Sequence, residues 1–220
     1  MAAEQFRPMS LPEDALYGGL PMKHLALFLA VLIMLVATGC ATTVKRVDTD
    51  TVTDLSGRWN DTDSRLVAEE MVKDALNRPW VDTFSQQHRG KQPVVIVGTV
   101  VNRSHEHINT ETFIGDLQRE LTNSGRVFFV AGKGEREEVR EERTDQLQNA
   151  TEETAHAPGK ETGADYMLRG SINTILDEKG STKAIFYQVD LEMVDMGSNV
   201  KVWLGQKKIK KIISRGSVTY

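Results

Sequence analysis

The fold is decided by the stretch Pro93 to Val101, which reads PVVIVGTVV. Seven of the eight residues after the proline are β-branched. A nearly unbroken run of this kind predicts a strand that is covered on both faces, and such a strand is usually central in its sheet. The chain on either side is therefore expected to supply the covering helices and the neighbouring strands.

Helices are predicted on both sides of this strand. Upstream, apolar residues recur at helical spacing from Leu66 to Leu76, after three residues that could provide N-cap oxygens: Asp61, Thr62 and Asp63. Pro79 should interrupt this helix, with its apolar stripe continuing beyond. Downstream, Asn109 or Thr110 is expected to cap a second helix, which is followed by a short strand over residues 127–131.

The last third of the chain changes period from helical to alternating. Apolar and polar residues alternate after Tyr166 and again from Ile185 to Met193, with turns near Gly180 and Gly197, which predicts a three-stranded meander. Residues 135–149 are dense in Glu and Arg and predict a solvated helix, packed only through Val139 and Leu147. The pattern as a whole predicts a single α/β domain, a mixed β-sheet flanked by helices.

Composition excludes several classes of protein. The 220 residues are 40% hydrophobic and 26% charged, which is typical of a globular chain rather than a disordered one. The net charge of −4 gives no global basic excess, so no nucleic-acid partner is expected. A single cysteine excludes an internal disulfide framework and any cysteine-rich zinc site.

The N-terminus predicts an export signal. Residues 25–36 read LALFLAVLIMLV, which is too short for a spanning helix but suits the apolar core of a signal peptide. Lys23 precedes this run, and a natural signal would begin at Met22, so residues 1–21 are interpreted as an over-extended start. Residues 1–40 are therefore assigned to the signal peptide.

The only cysteine follows this apolar run. Ala37-Thr38-Gly39-Cys40 resembles the lipobox of bacterial lipoproteins, although the family prefers Leu where Ala37 stands. The resemblance implies cleavage before Cys40, acylation of Cys40, and, since Ala41 follows instead of Asp, export to the outer membrane. Residues 41–57 are predicted to form a tether reaching at most about 55 Å. Residues 58–220 are predicted to form the globular domain.

Candidate chemistry is sparse. His105-Glu106-His107 could suggest a metal site, but no third ligand stands at a recognisable spacing, so no metal and no cofactor is predicted. Gly132-Lys133-Gly134 is interpreted as a turn because it lacks the remainder of a phosphate-loop motif. No nucleophile motif is present, and the chain is predicted not to be an enzyme.

Two groups of residues are candidates for protein binding. Loops at strand ends often carry recognition, which favours four residues after the central strand: Arg103, His105, Glu106 and His107. The second group belongs to the basic C-terminal strand: Lys207, Lys208 and Lys210. Such lysines could face an anionic partner, or they could serve only to prevent unwanted strand pairing.

Several segments, taken together in order and spacing, resemble the LpoB family of penicillin-binding-protein activators. They are Trp59-Asn60-Asp61, Val100-Val101-Asn102-Arg103-Ser104, GADYMLRG from Gly163, VDLEMVD from Val189, and Lys201-Val202-Trp203. The resemblance implies a fold like the TolB N-terminal domain. It also implies an outer-membrane lipoprotein, facing the periplasm, that binds and activates a bifunctional penicillin-binding protein. The short tether departs from the long proline-rich one of well-known members.

Two other functions remain open at this point. A structural lipoprotein of an envelope secretion assembly, similar to the curli-secretion lipoproteins, would also carry a lipobox and an α/β domain. The charged faces at Gln188, Asp190 and Glu192 fit membrane-spanning strands poorly. An envelope hydrolase is the third possibility, and the lack of a nucleophile motif disfavours it.

Overall fold

The structure, a computed structural model, describes residues 43–49, 51–156 and 161–214, together with Lys23, Leu27 and Gly159. Cys40 and its lipobox lie outside the described residues. The described chain from residue 51 onward forms four helices and five strands. In order these are α1 (Asp61–Leu76), α2 (Pro79–Gln87), β1 (Val94–Arg103), α3 (Thr110–Asn123), β2 (Phe128–Phe129), α4 (Lys133–Asn149), β3 (Tyr166–Lys179), β4 (Thr182–Asp195) and β5 (Lys201–Ser214).

The strands form one mixed sheet in the order β2-β1-β3-β4-β5. β1 pairs in parallel with β2 and β3, whereas β3, β4 and β5 form an antiparallel meander of 14-residue strands. Gly180, in the two-residue turn between β3 and β4, has a φ of 60°, which a glycine adopts without steric cost. The predicted mixed sheet with β1 inside it is confirmed.

α1, α2 and α3 bury one face of this sheet. Phe113, Leu117 and Leu121 of α3 are fully buried, and Trp80 and Phe84 of α2 pack edge-on against the ring of Tyr166. The strand residues in the same core point to the helices at every second position: Tyr166, Leu168, Ile172, Ile185, Tyr187, Val189, Leu191 and Met193. The alternation found in the sequence therefore predicted the buried face of the meander correctly.

The opposite face, called the open face below, has no covering helix at its centre among the described residues. Val101 is 41% exposed and Leu204 is 68% exposed, and the shallow cavity between them is lined only by residues of β1, β3, β4 and β5. The prediction that β1 is covered on both faces is right for its first half, where Val95 to Val97 are buried, and wrong for Thr99 and Val101. The reason is that the packed helices all lie against the other face.

The ends of α1 differ in detail from the sequence prediction. The N-cap is Asn60, whose side chain accepts from the N–H of Asp63, while the Asp63 carboxylate accepts from the N–H of Asn60, both at 3.0 Å. This capping box satisfies two donors at the start of the helix. The interruption predicted at Pro79 is confirmed, since α1 ends at Leu76 and Pro79 opens α2.

α4 exists as predicted, but it does not pack as predicted. None of its residues is buried, and Val139 and Leu147 are 43% and 54% exposed. Its contact with the remainder of the domain is ionic, because Arg140 holds the Glu161 carboxylate with two hydrogen bonds of 2.8 Å. Gly132 is its N-cap, so Gly132-Lys133-Gly134 begins a helix instead of forming a simple turn.

Candidate protein-binding surface

Arg103 ends β1, and the loop after it carries the other three predicted site residues of this group and is tied down at both sides. The N–H and the Nδ1 atom of His105 lie 3.1 and 3.0 Å from Oγ1 of Thr174 on β3. Asn102 donates from Nδ2 to the carbonyl of Glu106 and accepts from the N–H of Ser104. The loop therefore presents a fixed surface at the end of β1.

Glu106 faces the interior of the domain instead of the solvent. Its Oε1 atom accepts from the hydroxyl of the buried Tyr187 at 2.8 Å, and its Oε2 atom accepts from the N–H of Trp59 at 3.1 Å. Burial, followed by the hydrogen bond to Glu106, raises the pKa of Tyr187 above its ordinary value. Glu106 thus joins the start of the domain to β4, which is a structural role.

His105 and His107 are exposed at the rim of a cavity of about 640 Å³. Arg58 and Lys183 line the same cavity, together with Glu178. Within the part of the chain that the structure describes, no three His, Cys, Asp or Glu side chains come together as a metal site. The cavity is a polar recess lined by both histidines, and Nδ1 of His105 is already engaged by Thr174.

The lysines of β5 divide between the two faces of the sheet. Lys207 lies opposite Val189 in the register, points to the helices and forms an ion pair with Glu70 of α1. Lys208 and Lys210 lie opposite Gln188 and Phe186, on the open face. Neither has a hydrogen-bond or ion-pair partner among the described residues, so these two lysines remain available to a partner.

Lys211 belongs to the helix side and is only 10% exposed. Its Nζ atom donates to Asp54 and Asp63 at 2.6 Å each and to the carbonyl of Arg58 at 3.1 Å. Burial alone would lower the pKa of Lys211, but its bonds to the two carboxylates outweigh burial and raise it. This cluster attaches the segment before α1 to β5.

Arg103 shares a row of the open face with Lys208. The register aligns Arg103 with Asn173, Asn173 with Gln188, and Gln188 with Lys208. Three strand spacings separate the two cations, which is about 14 Å. Arg103 has no ion-pair or hydrogen-bond partner in the described chain, so it adds a third available cation to Lys208 and Lys210.

The two acids at the centre of the open face, Glu192 and Asp190, are engaged by other side chains. Glu192 pairs with Arg169 and Lys201, both at 2.6 Å, and its pKa is lowered by the hydrogen bond from Lys201 and also by Arg169. Asp190 accepts from three side-chain amides: Asn173, Gln188 and Gln206. By register, the open face carries six cations and three acids, so it is net positive. It combines these cations with exposed apolar side chains, which suits an acidic protein surface.

The sequence contained the signal that separates these lysines. Period-two alternation along β5 places Lys207 and Lys211 with the buried Trp203, and Lys208 and Lys210 with the exposed Leu204. The interior role of Glu106 carried no such signal, because its two partners are 47 and 81 residues away. In the described ranges, no helix is long and apolar enough to cross a bilayer.

Comparison with known proteins gives a family and a set of similar structures. The model of the family described as peptidoglycan-synthase activator LpoB matches residues 63–209. The chain is similar to the LpoB C-terminal domain from Salmonella enterica (16% identity, TM-score 0.39, covering 68% of this chain and 99% of that one). It is also similar to LpoB from E. coli (13%, 0.36, 96% of each) and to lipoprotein GNA1162 from Neisseria meningitidis (15%, 0.34, 57% and 88%). No curated protein matches the chain.

Proposed function

The chain belongs to the LpoB family of peptidoglycan-synthase activators, and from this premise we propose that it binds a bifunctional penicillin-binding protein and stimulates its synthesis of peptidoglycan. The protein would act from the outer membrane, facing the periplasm, through a lipid on Cys40. The family match supports this proposal because it begins in α1 and ends in β5, and so includes both the core and the strands that form the open face.

The observation that carries the site is the open face with Arg103, Lys208 and Lys210. These cations lack partners within the described chain, whereas the acids nearest the centre of the face, Asp190 and Glu192, are engaged by other side chains. Binding there can activate an enzyme only if the contacts favour its active conformation, because a ligand shifts an equilibrium by its differential affinity for the two states. The proposed activator needs no catalytic group of its own.

The test is the rate of glycan polymerisation and crosslinking by purified bifunctional synthases, with and without the full chain. Stimulation by the wild type is expected, and Arg103→Glu with Lys208→Glu should weaken synthase binding about tenfold or more, since it replaces attraction with repulsion at two positions. The matched control, Lys91→Glu with Lys133→Glu, makes the same change in net charge on exposed residues outside the open face.

The two variants distinguish a local site from general electrostatics. Equal losses in both would mean that net charge alone drives binding, and would remove the open face as the site. Absence of stimulation by the wild type with every bifunctional synthase of the source organism would contradict the proposed function itself. Thermal midpoints should stay near the wild-type value in both variants, because exposed charges contribute little to stability.

A further inference from the structure

The outer edge of β5 is long and has no strand partner among the described residues. β5 contains 14 residues and pairs only with β4 among the described strands, so one side of its backbone has no strand partner. Natural proteins usually shorten, bend or cover such edges, because unpaired N–H and C=O groups bind other extended chains. An edge of this length calls for a physical explanation.

The direction of the backbone groups can be read from two hydrogen bonds. The N–H of Asp195 donates to the carbonyl of Val200, towards β5, and the N–H of Met196 donates to Asp165, towards β3. Backbone groups alternate along an antiparallel strand, so the odd-numbered residues of β4 bond to β5. The register pairs these odd-numbered residues of β4 with the odd-numbered residues of β5 from Trp203 onward. The even-numbered residues therefore direct their N–H and C=O groups outward: Leu204, Gln206, Lys208, Lys210 and Ile212.

A groove runs beside this edge. Two cavities of about 600 and 530 Å³ lie between α1 and β5, and Glu70 and Lys73 line both of them, so they adjoin. Leu66 lines the first cavity and Trp203 the second. A strand edge flanked by a helix and a groove is the arrangement that accepts an extended peptide as an additional strand.

The charges along the groove and the edge select an acidic occupant. Every carboxylate of α1 that lines the groove is matched by a cation: Asp63 by Lys211, Glu69 by Arg65, Glu70 by Lys207, and Asp74 by Arg78. Lys73, Lys208 and Lys210 have no such partner in the described chain. A second copy adding through its own β5 would bring the unpaired Lys208 and Lys210 of both copies to the same seam, which is unfavourable.

We propose that β5 accepts an acidic, extended segment of the synthase as a sixth strand, hydrogen-bonded along the outward edge and flanked by α1. Acidic side chains on one side of the added strand face Lys208 and Lys210, and those on the other side face Lys73. The charges of the lysines disfavour pairing with neutral or basic strands and favour pairing with an acidic one. This selectivity allows the edge to be long without promoting aggregation. The inference rests on the proposed function for the identity of the chain that supplies the strand.

The test is amide hydrogen exchange of the full chain, resolved by residue, alone and with each purified bifunctional synthase. With nine-tenths of the protein bound, exchange proceeds from the free tenth, so the outward amides from Leu204 to Ile212 should slow about tenfold. The amides of Lys207 and Ile209 already bond to β4 and should change little. This alternation is a signature that simple coverage of the surface does not produce.

Each other outcome overturns the inference in a recognisable way. A complex that forms without slowing the outward amides removes strand addition and leaves the proposed function standing. If no synthase binds, both the inference and the proposed function fall. The outward amides could also exchange more slowly in the protein alone, and increasingly so at higher protein concentration. That result would assign the edge to pairing with a second copy and would contradict the proposal.

A pair of variants tests the backbone separately from the charge. Lys208→Ala removes the ammonium group and keeps the outward N–H, whereas Lys208→Pro removes both and leaves the bonds to β4 in place. The proline variant should bind the synthase up to about tenfold more weakly than the alanine variant, as expected for one lost hydrogen bond. Equal binding by two folded variants contradicts strand addition. If the proline variant does not fold, the exchange pattern of the wild type decides.

Discussion

At Lys211, burial and the two neighbouring carboxylates shift the pKa in opposite directions. Replacing Lys211 by methionine, which keeps a long apolar stem, would leave the buried carboxylate of Asp63 without its cation. We expect Lys211→Met to lower the free energy of unfolding by about 3 kcal/mol at pH 7, as found when one partner of a buried pair is removed. Chemical denaturation measures this, with the exposed Lys208→Met as the matched control, which should change it by less than about 0.5 kcal/mol.

The pH dependence of this difference follows from the pKa shifts. The hydrogen bond from Lys211 lowers the pKa of Asp54, so the stabilisation is present above the ordinary value of 3.8 and is lost as the pH falls through the lowered one. The pKa of Lys211 is raised, so its stabilisation is fully present below the ordinary value of 10.5 and is lost as the pH rises through the raised pKa. The difference in free energy of unfolding between the wild type and Lys211→Met should therefore be largest between about pH 5 and 9. A difference that stays constant from pH 7 down to pH 2 would contradict this account.

At this scale, the sequence predicts which face a residue occupies better than it predicts what the residue contacts. The period-two alternation along β5 is enough by itself to separate Lys207 from Lys208. Glu106 looks the same in the sequence as its exposed neighbours, yet its carboxylate is bonded to Trp59 and Tyr187. Its partners come from distant segments that meet only in the folded domain, so no local pattern could assign it an interior role.

At the scale of elements, α3 and α4 show how differently two predicted helices can contribute. Each contains a large apolar residue that the sequence assigns to the packed face, but Leu117 of α3 is fully buried and Leu147 of α4 is 54% exposed. Leu117→Ala should lower the free energy of unfolding by about 2–5 kcal/mol, because it removes contacts and leaves a cavity. Leu147→Ala should lower it by less than about 0.5 kcal/mol. Urea denaturation of both variants provides the comparison, and similar losses would show that α4 does pack in solution.

The helices and strands were largely predictable from the sequence, whereas the strand faces that the helices bury were not. β-branched and alternating runs predict β1 and the meander, since these patterns reflect strand geometry directly. The bare second half of β1 was not predicted, because Thr99 and Val101 carry the same β-branched character as the buried Val95 to Val97. Only the placement of the helices against one face distinguishes the two halves of the strand.

At the scale of the whole molecule, the domain uses the two sides of one sheet for different purposes. The helix side contains the core and the ion pairs of Lys207 and Lys211, which fix the fold. The open face and the outer edge of β5 retain the cations that the fold does not use. A protein arranged in this way can lose open-face charges without losing stability, which is what an activator that works only by binding requires.

The last prediction concerns reach. The segment before the domain is already attached from Thr53 onward, since Asn60 donates from Nδ2 to the Thr53 carbonyl and to Asp54. The part able to extend from the proposed lipid on Cys40 is therefore shorter than the predicted tether of residues 41–57. Deleting residues 43–49 would shorten its span by about 25 Å. If the synthase lies in the inner membrane, this deletion should abolish stimulation of cell-wall synthesis in cells.

The same deletion should leave stimulation unchanged in a purified detergent mixture, where both proteins diffuse freely and no distance has to be spanned. Replacing residues 43–49 with seven Gly and Ser residues preserves the length and is the matched control, expected to retain activity in both settings. Loss of activity in cells with the replacement as well would mean that the sequence of this segment matters, beyond its length. Full activity of the deletion in cells would show that the length of this segment does not limit the encounter with the proposed partner.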